Sequence, residues 1–180
     1  MNPLNIINKY YKENSELHNI LLKHSSDVAE FACKLARNYQ ADSLDIDLVY
    51  EASMLHDIGI FLTDAKGIQC FGKEPYILHG KFGAEILRKE GLMPHSLVAE
   101  RHTGTGLYPE EIIERKLPLE SNHIYYPVSN EEQIICYADK FFSKTKLNHM
   151  KSLDEVRKSM AKWGKESAER FEKLYIKFGL

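Results

Sequence analysis

Four histidines and two aspartates combine residue types that hold metal ions with positions that should face the protein interior. They are His24, His56, Asp57, His79, His102 and Asp139. Each falls on the apolar stripe, or at the inward end, of one of five predicted helices. A buried carboxylate without a cation or several hydrogen-bond donors is costly. One inward histidine is usually structural, but four inward histidines together with two inward aspartates indicate a metal site.

Nitrogen and oxygen ligands without sulfur suit iron, manganese, cobalt, nickel or zinc. The number of ligands exceeds what one tetrahedral zinc needs, so we expect two divalent ions. Asp57 would bridge them. The remaining ligands divide into His24, His56 and Asp139 for one ion and His79 and His102 for the other. A bridging water between ions ~3.5–4 Å apart is hydroxide-like at neutral pH and can attack phosphorus.

The composition excludes several classes of protein. The chain has 180 residues, of which 43% are hydrophobic and 28% charged, as in an ordinary globular protein of one domain. The formal net charge of -2 provides no basic field for long nucleic acid. Cys33, Cys70 and Cys136 are odd in number and widely spaced, which is typical of reduced thiols. No secretion signal and no apolar run of about 18 residues is present, so we expect a cytoplasmic protein without membrane spans.

Helical periodicity dominates the first half of the chain. It predicts a short helix over 4–11, a long helix capped by Ser15 that runs to Tyr39, and a third helix that ends at 56–59. Asp42-Ser43 is the expected cap of the third helix. Residues 61–74 lack periodicity and predict an irregular segment.

The second half continues the same pattern. A helix follows Pro75 and ends at Gly91, and another begins at Pro94 and ends before 103–106. Residues 107–127 predict a lid or binding loop with one short helix over 110–115. A capping box at 129–132 opens the next helix, and residues 152–178 predict one final long helix. Its aromatic stripe indicates core packing or a homodimer face. The fold class is therefore all-α.

The order His…His-Asp…His…His…Asp resembles the HD superfamily of metal-dependent phosphohydrolases, and His56-Asp57-Ile58-Gly59 resembles its HDIG subgroup. The resemblance covers Leu17 to Ser143. It implies a single HD domain over 1–180, a bundle of about six to eight helices with a central metal site, a metal-binding core over 17–143 and a packing helix over 152–178. It also implies hydrolysis of a phosphate ester or anhydride of a small molecule, often a nucleotide, by a metal-bridging hydroxide.

Two departures narrow the resemblance. The chain lacks the Gly-Tyr-Pro element and the additional histidine pair of the cyclic-di-nucleotide phosphodiesterases, which disfavours that substrate class. His79 and His102 favour the dinuclear branch over hydrolases that use fewer histidines. The ligand set also resembles that of the di-iron oxygenases of the superfamily. An oxygenase and a non-catalytic nucleotide-sensing module therefore stay open as alternatives.

Basic residues next to the predicted ligands are candidates for binding the substrate phosphate. They are Lys81, Arg101 and Lys140, assisted by backbone N–H groups of 103–106. Four further histidines lack the inward register, and we expect them on the surface: His18, His95, His123 and His149.

Overall fold

Nine α-helices account for most of the residues that the computed structural model describes, 1–39 and 44–179. They are α1 (Pro3–Tyr10), α2 (Glu16–Asn38), α3 (Ile46–Leu55), α4 (His79–Lys89), α5 (Met93–Arg101), α6 (Pro109–Glu114), α7 (Asn130–Asp139), α8 (Leu153–Lys162) and α9 (Lys165–Phe178). The all-α prediction is confirmed. The helices exceed the six to eight expected, partly because the C-terminal helix is divided.

Side-chain caps fix where several helices begin. Ser15 accepts a hydrogen bond from the N–H of His18 at the start of α2, and Ser152 forms a capping box with Glu155 at the start of α8. Ser129 caps α7 as predicted. Asp45 caps α3 through the N–H of Leu48. The predicted cap Asp42-Ser43 lies outside the described residues.

The segment between α3 and α4 is irregular, as the sequence predicts. Three short 3-10 helices occupy it, at Ile60–Leu62, Lys66–Ile68 and Tyr76–Leu78. The strands β1 (Asp64–Ala65) and β2 (Cys70–Phe71) pair antiparallel, with Asp64 opposite Phe71 and Ala65 opposite Cys70. This hairpin lies on the chain between the third and fourth helices, both of which carry predicted ligands.

The prediction of one helix over 152–178 is wrong. Helix α8 ends at Lys162 with Trp163 as its C-cap, and Gly164 has a φ of 115°, a backbone conformation that a residue with a side chain rarely adopts. The aromatic stripe continues across the break because Phe171 and Phe178 of α9 pack into the same cluster as Met160 of α8. The interpretation of this stripe as core packing is supported.

Two apolar clusters flank the centre of the bundle. One joins α2, α3 and α7 to α8 and α9, and the other joins α1, α2 and α3 to α4 and α5. The helices α2 and α3 contribute to both clusters and pack extensively against each other, as do α4 and α5. The ends of α3, α4, α5 and α7 are thereby brought toward the middle of α2, where the predicted ligands lie.

Candidate metal centre

The six predicted ligands meet at one place, and most of them lie at helix ends. His24 is inside α2, His79 begins α4, and Asp139 ends α7, while His56 and His102 are the residues that follow α3 and α5. Asp57 follows His56 in the turn after α3. The side chains of His24, His56, Asp57, His79 and His102 are all at most 5% exposed, and that of Asp139 is 12% exposed. Five separate segments therefore supply one buried polar cluster.

Glycines allow these segments to approach one another. A Cβ at Gly59 would lie 2.3 Å from the backbone N of Gly83 and 2.3 Å from the carbonyl oxygen of His79. A Cβ at Gly80 would lie 2.6 Å from the carbonyl oxygen of Ala99. Because neither position has a side chain, the turn after His56 and the end of α5 can both contact the first turn of α4. This contact brings His79 beside Asp57 and His102.

The six side chains form two groups that share Asp57. In the first group, Nε2 of His24 and Nε2 of His56 lie 3.1 and 3.0 Å from Oδ2 of Asp57. The same two nitrogens lie 3.1 and 3.5 Å from Oδ1 of Asp139.

In the second group, Nε2 of His79 and Nε2 of His102 each lie 3.5 Å from Oδ1 of Asp57. The two nitrogens are 3.0 Å from each other. The two oxygens of Asp57 therefore face different groups.

Three imidazoles are oriented by the same local hydrogen bond. Nδ1 of His56, His79 and His102 lies 2.6, 2.7 and 2.8 Å from the carbonyl oxygen three residues earlier, that of Ser53, Tyr76 and Ala99. A carbonyl oxygen only accepts, so each Nδ1 must donate its proton. In the neutral imidazole, Nε2 then carries the lone pair that a metal ion needs.

The histidines of the two groups differ in the direction of their pKa shifts. Burial lowers the pKa of His56, but the carboxylates of Asp57 and Asp139 outweigh this effect and raise it to about 9. Burial and the adjacent ring of His102 lower the pKa of His79 to about 3, and burial also lowers that of His102. Burial would raise the pKa of Asp57, yet His56 and Lys144 hold it well below its usual range.

The donor set fits a divalent ion. Among the described residues, Nε2 of His24, Nε2 of His56 and both oxygens of Asp57 are buried without a hydrogen bond of normal geometry. Such atoms are rare in folded proteins because each loses its hydration without replacement. Each group offers imidazole nitrogens and carboxylate oxygens that lie within 4.8 Å of one another. These are suitable ligands for a first-row divalent metal.

A comparison with known protein families identifies the family to which this chain is similar. The model of the HD domain family matches residues 21–143, the part of the chain that contains all six clustered side chains. The chain belongs to the HD domain family. The HDIG subgroup stays a prediction.

Relatives of this HD domain occur in longer proteins. It is 34% identical over 157 residues to a tRNA (cytidine(56)-2'-O)-methyltransferase of Thermoplasma volcanium. The aligned residues cover 86% of this chain and 40% of that protein. It is 37% identical over 132 residues to the uncharacterized protein MJ0778 of Methanocaldococcus jannaschii, with 70% and 68% covered. A second methyltransferase of the same name, from Picrophilus torridus, is 30% identical over 135 residues, with 74% and 35% covered. The chain thus spans less than half of either methyltransferase.

Solved structures share the fold. The HD domain of the phosphodiesterase PgpH of L. monocytogenes superposes with a TM-score of 0.56 and 20% identity, over 97% of this chain and 95% of that one. The same domain in complex with cyclic-di-AMP gives a TM-score of 0.56 and 20% identity over 98% and 95%. The helical architecture inferred from the sequence is therefore that of an HD domain.

A pocket of about 580 Å³ opens beside the cluster of this HD domain. His79, His102 and Asp139 are among the residues that line it. Aromatic and apolar side chains line much of the rest, including Tyr76, Phe142, Ile77, Met160 and Trp163. The volume is within the range of ligand sites, which is roughly 300–1,000 Å³. The pocket gives a small molecule access to the second group and to Asp139.

The three basic residues predicted to bind phosphate lie in different surroundings. Lys140 lines the pocket, but its Nζ also lies 2.7 Å from Oδ2 of Asp139 and donates to the carbonyl oxygen of His102 at 3.0 Å. Arg101 donates from Nη1 to both carboxylate oxygens of Glu132, at 3.1 and 3.0 Å. Lys81 lies 3.8 Å from Glu120. Neither Arg101 nor Lys81 is among the described residues that line the pocket.

Sequence reasoning missed Lys144. Its Nζ lies 2.6 Å from Oδ2 of Asp57, and its side chain is only 13% exposed. Burial would lower the pKa of Lys144, but Asp57 raises it above its usual value, so the side chain is an ammonium ion. Residues 140–152 have no regular secondary structure, so no periodicity indicated that Lys144 points inward. The only signal in the sequence was its position five residues after Asp139.

The prediction of four surface histidines is wrong for two of them. His18 is buried and hydrogen bonds through Nε2 to Oδ1 of Asn8, and His95 is buried and bonds to Glu51. His123 and His149 are exposed as predicted. In the part of the chain that the structure describes, no helix is long and apolar enough to cross a membrane.

Proposed function

We propose that this HD domain is a metal-dependent phosphohydrolase that cleaves a phosphate ester or anhydride of a small molecule, with nucleotides as the leading substrate class. One observation carries the proposal: Asp57 turns one oxygen toward each of two histidine groups, next to a pocket lined by lysines. An arrangement of ligands around a shared carboxylate suits two divalent ions, which is the number that phosphoryl hydrolysis often uses.

Each residue of the cluster has a proposed role. His24, His56 and Asp139 would hold one ion, His79 and His102 the other, and Asp57 both. Two ions so held would activate a water molecule as the nucleophile and would neutralise the charge of the phosphate oxygens. The carbonyl oxygens of Ser53, Tyr76 and Ala99 keep the imidazoles in the tautomer that binds metal. The metal could be iron, manganese, cobalt, nickel or zinc.

The pocket supports a substrate with a charged group and a flat apolar body. The ammonium groups of Lys140 and Lys144 lie at the end where the ligands are, which is where a phosphate would be neutralised. Trp163, Phe142 and Tyr76 line the pocket and offer faces and edges against which an aromatic base can pack. Of the three basic residues predicted to bind phosphate, Lys140 is the one that lines the pocket, and we propose this role for it.

The relatives support this assignment at the level of chemistry. The PgpH domain with the same fold is a phosphodiesterase solved with cyclic-di-AMP, a nucleotide, although our chain lacks the Gly-Tyr-Pro element noted above. The methyltransferase names describe longer proteins, of which this chain spans 40% and 35%. The His/Asp cluster supports hydrolysis as the activity of this part.

A substrate panel tests the proposal. Purified protein loaded with Mn²⁺, Co²⁺ or Ni²⁺ is incubated with nucleotides, dinucleoside polyphosphates and simple phosphate esters, and released phosphate or nucleotide is measured. We expect metal-dependent turnover that is lost in His56→Gln and kept in His123→Gln, which changes an exposed histidine outside the cluster. Oxygen consumption with an iron-loaded enzyme and no hydrolysis would identify an oxygenase instead. Ligand-induced thermal stabilisation without any product would identify a sensing module.

A further inference from the structure

Lys144 occupies an unusual position for a lysine. Its Nζ lies 2.6 Å from Oδ2 of Asp57, whose side chain is fully buried, while its own side chain lines the pocket. Oδ2 is also the oxygen that faces Nε2 of His24 and Nε2 of His56, at 3.1 and 3.0 Å. An ammonium ion and the first ligand group therefore share one carboxylate oxygen.

The other lysines of the pocket are held differently. Lys140 has two acceptors, the carbonyl oxygen of His102 and Oδ2 of Asp139, and Asp139 turns its other oxygen, Oδ1, toward the histidines. Lys151 donates to the carbonyl oxygen of Lys140. Neither amine contacts a carboxylate oxygen that faces a histidine group. Among these three lysines, Lys144 is the one whose ammonium contacts an oxygen that we propose to bind a metal ion, Oδ2 of Asp57.

A divalent ion in the first group needs the oxygen that Lys144 contacts. Two cations a few ångströms apart repel each other strongly in a buried site, where the effective dielectric constant is low. The ammonium and the ion therefore compete for Oδ2. Lys144 is in the irregular segment 140–152, and its side chain already borders the pocket, so a change of side-chain rotamer can carry its charge there.

We propose that Lys144 has two alternative partners: Asp57 in the absence of a divalent ion in the first group, and the anionic phosphoryl group of a ligand in the pocket once that ion is bound. The identity of the anion as a phosphate rests on the function proposed above. Lys144 then links the two events, because the ion that displaces the ammonium also makes it available to the phosphate.

Binding measurements test this proposal without relying on turnover. Co²⁺ binding is followed by visible absorption in chelator-treated protein, and inorganic phosphate binding to the Co²⁺-loaded protein is followed by calorimetry. In Lys144→Met we expect the Co²⁺ ion of the first group to bind about tenfold more tightly, because no ammonium competes for Oδ2 of Asp57. We expect phosphate to bind about tenfold more weakly, because one charge-assisted hydrogen bond is lost.

Two further variants control the experiment. Lys146→Met removes a charge from the same segment at an exposed position outside the pocket lining, and it should change neither affinity. Lys144→Arg keeps the positive charge and should keep most of the phosphate affinity. If Lys144→Met does not fold, Lys144→Gln replaces it.

The opposite signs of the two effects identify the proposed role. A lysine that only stabilises the fold would weaken both affinities or change neither, and either result would overturn the proposal. The outcome is also separable from the proposed function. If Lys144→Met shows the two opposite effects but wild-type protein hydrolyses no phosphate compound, the hydrolase assignment fails and the role of Lys144 stands. If wild-type protein hydrolyses a substrate and the variant binds Co²⁺ and phosphate normally, only the role of Lys144 fails.

Discussion

Nε2 of His79 and Nε2 of His102 lie 3.0 Å apart, although 23 residues separate them in the chain. Both rings donate Nδ1–H to a carbonyl oxygen, and the pKa values of both are lowered, that of His79 to about 3. Two neutral imidazoles in this state point their lone pairs at each other. Such a contact is unfavourable unless a cation lies between the nitrogens and the nearby Oδ1 of Asp57, which is why this pair supports a metal site.

The first prediction concerns Asp57. We expect Asp57→Asn to weaken both metal sites, because the substitution removes the negative charge that the two groups share. Turnover should fall by several powers of ten, since activation of water and stabilisation of charge each contribute several kcal/mol and ~1.4 kcal/mol corresponds to a factor of ten. Metal content by elemental analysis and phosphate release measure the two effects.

Asp154→Asn is the matched control for Asp57→Asn. The side chain of Asp154 is 83% exposed, so this variant loses the same charge at the surface. It should retain the metal content and the activity of the wild-type protein. Two ions and near-normal turnover in Asp57→Asn would show that Asp57 is not the shared ligand.

The second prediction separates the two groups. His79→Gln should lower the metal content from two ions per chain to one, because His79 faces only Oδ1 of Asp57 and belongs to the second group. His24→Gln should instead affect the group that contains Asp139. The remaining ion can be followed by titration with Co²⁺ and visible absorption. Equal loss of both ions in His79→Gln would indicate a single site rather than two.

The sequence predicted the ligands better than it predicted the residues around them. His24 and His79 were identifiable because each has helical spacing to apolar neighbours, and helical periodicity fixes which face is buried. Lys81 and Arg101 were chosen because they adjoin ligands, but neighbouring residues on a helix point about 100° apart. The structure pairs Arg101 with Glu132 instead. Lys144 was missed because an irregular segment has no period from which its direction can be inferred.

The break between α8 and α9 was hidden for a related reason. The apolar stripe continues from Met160 to Phe171 across Gly164, so the pattern alone predicted one helix. A single glycine inside a helical pattern costs only about 1 kcal/mol and is often tolerated. Whether the chain forms one continuous helix or two depends on how the C-terminal segment packs against α7. The spacing of apolar residues within the segment does not reveal that packing.

The third prediction concerns pH. In protein without metal, His56 has a pKa of about 9 and carries a proton at neutral pH, whereas His79, with a pKa of about 3, does not. An ion bound to Nε2 of His56 must therefore displace a proton. The affinity of the first group should rise about tenfold per pH unit below pH 9 and level off above it. No proton release from His79 is expected at neutral pH.

Calorimetry in two buffers with different ionisation enthalpies measures this proton release at pH 7. About one proton should accompany the ion that fills the first group. In His56→Gln that proton should be absent, whereas His123→Gln, which changes an exposed histidine, should retain it. Metal binding in wild-type protein that is independent of pH between 6 and 8 would contradict the prediction.

The last prediction tests the contact that brings the segments of the site together. A Cβ at Gly59 would lie 2.3 Å from the backbone of both His79 and Gly83, so Gly59→Ala forces the turn after His56 away from the first turn of α4. We expect the free energy of unfolding to fall by about 1–3 kcal/mol, the usual cost of overpacking. Because the displaced turn carries Asp57 and α4 begins with His79, the second ion should also bind more weakly. Gly67→Ala is the matched control, since a Cβ there meets no atom of the described chain within 4 Å. Denaturant unfolding and Co²⁺ titration of both variants should show losses in Gly59→Ala alone, and equal stability of the two variants would mean that this close approach does not position the site.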